Sequence, residues 1–253
     1  ILMENETMKK RIIGHRGAGV CAPENTLYAL KVAHDLELEH VEFDVRLTRD
    51  LVPVISHDNS LIRCAHKDIL ISDSLYADIK DINLAAHYAL DDLNETIPTL
   101  QEYLTESKRL GLHCQVEFKP NADDKDVLVS LVTDILDDFY KDASEDEKPL
   151  VTSFFAECLA DFKVKSKLDY KTGMLVKVEE TSLWKKYAEE SGCDFMHLHA
   201  LYLTDAIAED VKTSGRRING FHLNHPELAR QAIARGCEKF TCDVPDVFAE
   251  IKI

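Results

Sequence analysis

The chain has 253 residues, of which 45% are hydrophobic and 30% are charged. This length is sufficient for one large hydrophobic core and is close to the size of a single α/β barrel. The formal net charge of −16 argues against a general nucleic-acid-binding protein, because neutralising phosphates requires a clustered basic face, which the sequence lacks.

Short β-rich runs alternate with segments of helical period along the chain. The predicted strands are 10–14, 39–46, 112–118, 149–153, 171–177, 194–199, 217–223 and 238–242. Eight such units predict one (β/α)₈ barrel domain over residues 1–253. The alternative is a doubly wound open sheet, but no G-x-G-x-x-G pattern follows the first strand. Glycines between helix and strand are expected to end four helices in a left-handed conformation, at Gly111, Gly192, Gly215 and Gly236.

One interval departs from this repeat. The stretch LTRDLVPVISHD, which follows the second strand, predicts a turn and a short returning strand that ends at His57. Weak helical patterns follow, until Thr99 and Glu102 form a capping-box pattern at the start of the next helix. We interpret residues 58–98 as an insertion over the barrel mouth rather than a second domain.

The spacing of the cysteines and the length of the apolar segments indicate the cellular compartment of the protein. Seven cysteines are spread along the chain without a C-x-x-C pair, which is typical of reduced thiols in a cytoplasmic protein. No apolar run reaches 18 residues, and the first residues, ILMENETMKK, lack the apolar core of a signal peptide. We therefore predict a cytoplasmic protein without stable membrane insertion.

Polar side chains are concentrated where the predicted strands end, which is the position of the active site in barrel enzymes. The first strand ends at His15 and Arg16, and the returning strand ends at His57. In the second strand, apolar residues alternate with Glu42 and Asp44, so one face is apolar and the other is charged. The next strand places further polar residues on one face, namely Gln115, Glu117 and Lys119.

The carboxylates on these faces require a compensating charge. Glu42 and Asp44 are expected to lie about 6–7 Å apart. At an effective dielectric constant near 20, their repulsion is about 3 kcal/mol, and Glu117 increases it. Either the carboxyls become protonated or a cation lies among them, for which Mg²⁺ or Ca²⁺ is the best match to oxygen ligands. The competing interpretation is a solvated edge strand in which Arg46 and Arg49 pair with the acids.

Two histidines beside three carboxylates favour the active-site interpretation over the edge strand. His15 and His57 then form a candidate acid-base pair. The residues Pro23 to Thr26 are interpreted mainly as the start of the first helix, and the functional alternative is that Glu24 orients Arg16.

Several motifs occur in order along the chain: GHRGAGVCAPENTLYAL, VEFDVRLTRDLVPVISHD, IPTLQEYL, VEFKP and CDVPD. With these motifs the chain resembles the glycerophosphodiester phosphodiesterase family. The resemblance implies a barrel enzyme with a small insertion after the second strand. It also implies hydrolysis of glycerophosphodiesters to an alcohol and sn-glycerol 3-phosphate, usually with a divalent cation. The implied roles are metal ligands for Glu42, Asp44 and Glu117, acid-base catalysis for His15 and His57, and phosphate contacts for Arg16 and Lys119.

One motif departs from the family pattern. Where the family often has a Trp-Thr-Val-Asn type sequence, this chain has Phe221, His222, Leu223 and Asn224. The smaller ring of Phe221 is expected to form an apolar wall against the glycerol carbons. The substrate expected from these motifs is a small glycerophosphodiester such as glycerophosphocholine or glycerophosphoethanolamine, and neither nucleic-acid binding nor stable membrane insertion is expected.

Two alternative functions remain. Lysophospholipase D-type cleavage of lysophospholipids would require an apolar groove near the insertion, and the short apolar pieces there, SLIR and DILI, are too weak to support one. A non-catalytic barrel that binds phosphorylated ligands would have a broken set of catalytic residues, whereas every residue that the resemblance implies is present. The sequence gives no indication of the oligomeric state.

Overall fold

Parallel strands form a closed barrel in the computed structural model, which describes residues 9–88 and 92–250. Within these residues the strands are β1 (Ile12–Gly14), β2 (His40–Leu47), β3 (Pro53–Ile55), β4 (His113–Phe118), β5 (Leu150–Ser153), β6 (Thr172–Leu175), β7 (Phe195–His199), β8 (Arg217–Phe221) and β9 (Cys237–Cys242). The strand order is β1-β9-β8-β7-β6-β5-β4-β2, and pairing of β1 with β2 closes the ring. β3 is the extra strand and pairs antiparallel with β2. The predicted (β/α)₈ barrel with a returning strand is confirmed.

Helices separate the barrel strands and cover them. They are α1 (Leu27–Asp35), α2 (Ile62–Ala65), α3 (Tyr76–Ile79), α4 (Leu100–Arg109), α5 (Lys125–Phe139), α6 (Ala156–Lys165), α7 (Trp184–Ser191), α8 (Asp205–Thr213), α9 (Pro226–Ala234) and α10 (Pro245–Glu250). The predicted capping box is present at α4, where Thr99 accepts a hydrogen bond from the backbone N–H of Glu102. The four predicted left-handed glycines all have positive φ angles. None of the described helices is long and apolar enough to cross a membrane.

Apolar and charged residues alternate along β2, so the apolar side chains face the helices and the charged ones face the barrel interior. Phe43 is fully buried, and its ring centroid lies 4.6 Å from that of Tyr103 in α4. The charged side chains of β2 therefore point away from the helices. The parallel register of β2 and β4 pairs Glu42 with Gln115 and Asp44 with Glu117, so the polar faces of the two strands are adjacent.

Two predicted strands end earlier than expected. β6 ends at Leu175 rather than at residue 177, and β8 ends at Phe221 rather than at residue 223. In both cases the chain leaves the ladder but keeps one backbone hydrogen bond to the next strand, from Val176 N to His197 O and from Leu223 N to Thr241 O. The early end of β8 places His222 at the barrel mouth.

The segment after β3 has a small hydrophobic cluster of its own, formed by Val54, Leu61, Ala65, Ile71, Ile79, Leu84 and Ile97. Tyr88 in this segment donates a hydrogen bond to the carbonyl of Ala22, over 2.5 Å, next to the loop that follows β1. Residues 1–8, 89–91 and 251–253 of the predicted domain lie outside the described residues, and 89–91 belong to the predicted insertion. That residues 58–98 cover the barrel mouth stays a prediction.

Candidate active site

The carboxyl ends of the strands surround a cavity of about 110 Å³. One part of its wall is polar and the other is apolar. The polar residues are His15, Arg16, Glu42, His57, Gln115, Glu117, Lys119, His222 and Thr241, and the apolar residues are Phe154, Leu175 and Phe221. Every site residue predicted from the sequence lines this cavity except Asp44, which lies 3.8 Å from both Arg16 Nε and Lys119 Nζ.

A larger cavity, of about 220 Å³, lies at the opposite end of the barrel, where the strands begin. Its cationic side chains are engaged with neighbours: Lys239 Nζ lies 2.8 Å from His40 Nε2, and Arg217 Nε donates to Glu238 Oε1 over 2.7 Å. Active sites of this fold lie at the carboxyl ends of the strands. We therefore assign the chemistry to the smaller cavity.

Three carboxylates converge beside this cavity. Glu42, Asp44 and Glu117 are 2%, 1% and 7% exposed, and one oxygen from each lies within 4.8 Å of the others. The register explains how Glu117 joins the other two, because it pairs Asp44 directly with Glu117 on the neighbouring strand. The edge-strand interpretation is wrong: Arg46 donates to the backbone carbonyls of His57 and Lys119 instead of pairing with Glu42 or Asp44.

The donor set fits a hard divalent cation. Glu42 Oε1 and Asp44 Oδ1 are both buried and accept no hydrogen bond, although buried oxygens normally have a partner. Ligands that are all carboxylate oxygens match Mg²⁺ or Ca²⁺. The unpartnered oxygens and the chemistry of the three side chains therefore suit a cation at this position.

Burial and mutual repulsion perturb the pKa values of the three acids. Burial, followed by the charges of Asp44 and Glu117, raises the pKa of Glu42 well above its ordinary value. Burial also raises the pKa of Glu117, to about 7. Burial alone would raise the pKa of Asp44 too, but Lys119, His57 and Arg16 hold it below its ordinary value.

Without a bound cation, the raised pKa values of these acids should make the stability of the fold depend on pH. Glu42 and Glu117 have raised pKa values in the folded protein, so above pH 4.5, the ordinary value, the cation-free fold binds more protons than the unfolded chain. Their contribution to stability is present below pH 4.5 and is lost as the pH rises, for Glu117 as it passes through about 7. A cation needs the ionised carboxylates. We therefore expect the stabilisation by Mg²⁺ or Ca²⁺ to increase as the pH rises from 4.5 through about 7.

The measurement is a melting temperature with the cation and with a chelator, at several pH values. Burial lowers the pKa of His197 to about 3, so histidines of this kind make the fold more stable as the pH rises. They do so both with the cation and with the chelator. The difference in melting temperature between the two conditions therefore reports the three carboxylates. A difference that does not change with pH would contradict the expectation.

Two cationic side chains flank the acids. Lys119 Nζ donates to Glu117 Oε1 over 3.0 Å. Arg16 donates from Nη1 to Glu24 over 2.9 Å, and its Nε is buried without a hydrogen-bond partner. Glu24 in turn accepts two hydrogen bonds from Arg63 of α2.

Both interpretations of the segment from Pro23 to Thr26 have a contact in the structure. Thr26 caps α1 by accepting a hydrogen bond from the backbone N–H of Ala29. The contact by which Glu24 would orient Arg16 is also present.

Each predicted acid-base histidine is held by an aspartate. His15 Nδ1 lies 2.5 Å from Asp243 Oδ1, and His57 Nδ1 lies 2.6 Å from Asp58 Oδ1. A carboxylate at Nδ1 favours the tautomer with the proton on that nitrogen, so that Nε2 of each ring is the nitrogen that can accept a further proton. Burial lowers the pKa of His57 despite the opposing charge of Asp44.

Sequence reasoning did not assign a role to two residues at this site. His222 Nε2 lies 3.2 Å from His15 Nε2, and the two ring centroids are 4.2 Å apart. Asp243 is fixed by Asn224, whose amide donates to Asp243 Oδ2 over 2.7 Å. The available signal was the position of both residues directly after strands β8 and β9, because β9 is the neighbour of β1 in the closed barrel and β8 is the next strand after it.

The chain matches the sequence model of the Glycerophosphoryl diester phosphodiesterase family over residues 15–247. The chain belongs to this family, and it is an enzyme of the phosphodiesterase class. A glycerophosphodiester phosphodiesterase of Caldanaerobacter subterraneus subsp. tengcongensis is 25% identical over 246 residues, which cover 96% of this chain and 98% of the relative. Glycerophosphodiester phosphodiesterase 1 of Mus musculus is 37% identical over 113 residues, 44% of this chain and 34% of the relative.

Solved structures agree with this assignment. A phosphodiesterase of Oleispira antarctica in complex with the product sn-glycerol-3-phosphate superposes with a TM-score of 0.85 and 27% identity, covering 96% of this chain and 97% of the other. A putative glycerophosphoryl diester phosphodiesterase of Silicibacter pomeroyi shares the fold, with a TM-score of 0.80 and 20% identity over 94% of this chain and 91% of the other. The family resemblance found in the sequence motifs is thereby confirmed.

Proposed function

We propose that the enzyme hydrolyses small glycerophosphodiesters to an alcohol and sn-glycerol 3-phosphate, with a divalent cation held by Glu42, Asp44 and Glu117. The observation that carries this proposal is the convergence of two cationic side chains, two histidines and two carboxylates at one cavity, with the carboxylate of Asp44 directly beside them. The product named in the Oleispira antarctica complex, sn-glycerol-3-phosphate, supports the same substrate class. Mg²⁺ and Ca²⁺ are the cations proposed, because all three ligands are carboxylates.

The chain's own cations supply part of the phosphate recognition. A phosphodiester carries one negative charge, which repels an attacking oxygen. We assign Arg16 and Lys119 to the phosphate oxygens, where they offset this charge and stabilise the charge that develops in the transition state. When bound, a divalent cation adds Lewis-acid polarisation of the phosphoryl group. These local charges overcome the acidic surface of the protein, whose net charge is −16.

The two histidines transfer protons. One of them removes a proton from the attacking hydroxyl, and the other gives a proton to the oxygen of the departing alcohol. Each transfer contributes roughly 10²–10⁴-fold to the rate. Water and the glycerol 2-hydroxyl are both candidate attackers, and the second route forms a cyclic phosphate that is then hydrolysed. Phe221 is 7% exposed and belongs to the apolar wall of the cavity, where we place the glycerol carbons.

Asp243 serves as a positioning residue in this scheme, because it touches His15 rather than the substrate. Asp243→Asn keeps the size of the side chain but presents an amide to His15 Nδ1, which favours the wrong tautomer. We expect kcat to fall by roughly 10²–10⁴-fold with little change in KM. Steady-state kinetics on glycerophosphocholine measure this split. A proportional change in KM with unchanged kcat would show that Asp243 acts on binding instead.

The proposed function is tested with a panel of glycerophosphodiesters, assayed with and without a chelator. Release of sn-glycerol 3-phosphate is coupled to a dehydrogenase and followed by absorbance. We expect turnover of glycerophosphocholine or glycerophosphoethanolamine that the chelator abolishes and that added Mg²⁺ or Ca²⁺ restores. Binding of the diesters without release of the product would instead support the non-catalytic barrel.

The cytoplasmic location, which was inferred from the cysteine usage, stays a prediction. All seven cysteines are free thiols in the structure, in agreement with the reduced state that the sequence indicates.

A further inference from the structure

Two histidine rings face each other at the carboxyl ends of the strands. His15 Nε2 lies 3.2 Å from His222 Nε2, the ring centroids are 4.2 Å apart, and both side chains line the active-site cavity. The other ring nitrogen of His15, Nδ1, is engaged by Asp243 over 2.5 Å. Both Nε2 atoms therefore border the same position, although the proposed acid-base step uses only the one on His15.

The separation of these two nitrogens is close to that of two ligands on one zinc ion. Zinc binds imidazole nitrogens at about 2.0–2.1 Å, and a tetrahedral arrangement places two such nitrogens about 3.3–3.4 Å apart. Without an ion, one ring donates an N–H to the other, because a neutral imidazole has one donor nitrogen and one acceptor nitrogen. With an ion between them, both Nε2 atoms present a lone pair to it, and His222 carries its proton on Nδ1.

Asp243 favours a cation beside these nitrogens. One ligand atom from each of His15, His222 and Asp243 lies within 4.8 Å of the other two. Asp243 keeps the proton of His15 on Nδ1, and a carboxylate at this position orients a ligating histidine and makes its other nitrogen a stronger ligand. The cavity, of about 110 Å³, has room for water molecules as further ligands.

His222 is a departure of this chain from the family pattern. The threonine of the Trp-Thr-Val-Asn type sequence corresponds to His222 here. Imidazole nitrogen is a preferred ligand of Zn²⁺, whereas a threonine side chain offers no nitrogen. The nitrogen pair therefore comes from this chain's own sequence at the end of β8.

We propose that Zn²⁺ binds between the Nε2 atoms of His15 and His222 and inhibits the enzyme. Asp243 supports the ion through His15, and water molecules complete the coordination. An ion on Nε2 occupies the lone pair that exchanges the proton, so a step that contributes roughly 10²–10⁴-fold to the rate is lost. The inhibition rests on the proposed function, in which His15 transfers a proton, whereas binding of the ion does not.

The type of ligand separates this site from the carboxylate site. Nitrogen ligands favour Zn²⁺, whereas the oxygens of Glu42, Asp44 and Glu117 suit Mg²⁺ or Ca²⁺. Glu42 Oε2 lies 3.9 Å from His15 Nε2, so the two sites are adjacent, but they share no proposed ligand. We therefore expect Zn²⁺ to inhibit while Mg²⁺ occupies the carboxylates, and we expect excess Mg²⁺ not to reverse the inhibition.

A zinc titration of the wild-type enzyme in saturating Mg²⁺ tests the inhibition. Turnover of glycerophosphocholine is followed by ³¹P NMR, so that no coupling enzyme is exposed to Zn²⁺. We expect the rate to fall at least about tenfold at saturating Zn²⁺ and to recover when a chelator that prefers zinc to magnesium is added. Raising the Mg²⁺ concentration about tenfold should leave the half-inhibiting zinc concentration unchanged.

Two results of this titration would overturn the proposal. One is a rate that zinc leaves unchanged or increases. The other is a half-inhibiting concentration that rises in proportion to Mg²⁺, because zinc would then compete for the carboxylates.

A pair of variants in one loop locates the ion. His222→Thr removes a proposed ligand, and His225→Thr removes an exposed histidine that caps α9, where threonine is also a common cap. Each variant is compared with its own rate without zinc, because His222 lines the cavity. We expect His222→Thr to raise the half-inhibiting concentration at least about tenfold and His225→Thr to leave it unchanged. Equal values in the two variants would overturn the assignment of His222.

Anomalous diffraction at the zinc absorption edge tests the binding without relying on activity. Crystals grown with Mg²⁺ and soaked in Zn²⁺ are expected to show a peak between the Nε2 atoms of His15 and His222. No peak at this position, or a peak confined to the carboxylates, would overturn the zinc site. Lack of turnover in Mg²⁺ without zinc would contradict the proposed function instead, and the diffraction peak would still decide whether zinc binds here.

Discussion

Replacing Glu42 by glutamine is expected to lower kcat/KM for glycerophosphocholine by at least about 100-fold, because a ligand of the proposed cation loses its charge. The same substitution is expected to stabilise the cation-free protein. Glu42 is 2% exposed and lies in a group of three carboxylates, so the neutral amide removes both a buried charge and its repulsion from Asp44 and Glu117. The amide can still accept the hydrogen bond from the backbone N–H of Arg16.

The two effects are measured separately, by steady-state kinetics and by thermal melting in the presence of a chelator. Glu39→Gln is the matched control, because Glu39 is an exposed glutamate just before β2 that is remote from the cavity. Loss of activity together with loss of cation-free stability would show that Glu42 supports the fold rather than a cation.

Replacing either of the proposed acid-base histidines by asparagine is expected to lower kcat by roughly 10²–10⁴-fold, since one proton transfer would lose its donor or acceptor. His15 and His57 both line the cavity, and each is oriented by an aspartate at Nδ1. The control is His34→Asn, because His34 is an exposed histidine in α1. Wild-type rates in both His15→Asn and His57→Asn would show that the acid-base assignment is wrong.

A change of leaving group can separate the acid from the base. A diester that releases p-nitrophenolate does not need a proton on its leaving group. The variant without the general acid should therefore recover most of its rate on this substrate, whereas the variant without the base should not. Recovery in neither variant would contradict a role for these histidines in protonating the alcohol.

Local sequence patterns predicted the elements that build the site. The alternation in β2 predicted that Glu42 and Asp44 share a face, and both are buried in the barrel interior. The polar ends of the first strand and of the returning strand predicted that His15 and His57 meet at one mouth, and both line the cavity. These predictions succeed because strand periodicity and the parallel order of the barrel fix which residues share a face and an end.

The contacts that sequence reasoning missed depend on closure of the barrel. Asp243 and His222 reach His15 across 228 and 207 residues of sequence, and no local pattern reports the pairing of β9 with β1 that brings them there. The contacts of Arg46 were also not predicted. A positive charge in β2 is typical of an ion-pair partner for Glu42, but the Arg46 side chain donates hydrogen bonds to backbone carbonyls where the strands end.

Anomalous diffraction from crystals grown with Mn²⁺ tests the central claim most directly. Mn²⁺ accepts the same oxygen ligands as Mg²⁺ and scatters strongly. We expect a single strong peak bounded by the carboxylates of Glu42, Asp44 and Glu117, which disappears in the E42Q/D44N/E117Q variant. A peak that lies elsewhere, or one that persists unchanged in the triple variant, would contradict it.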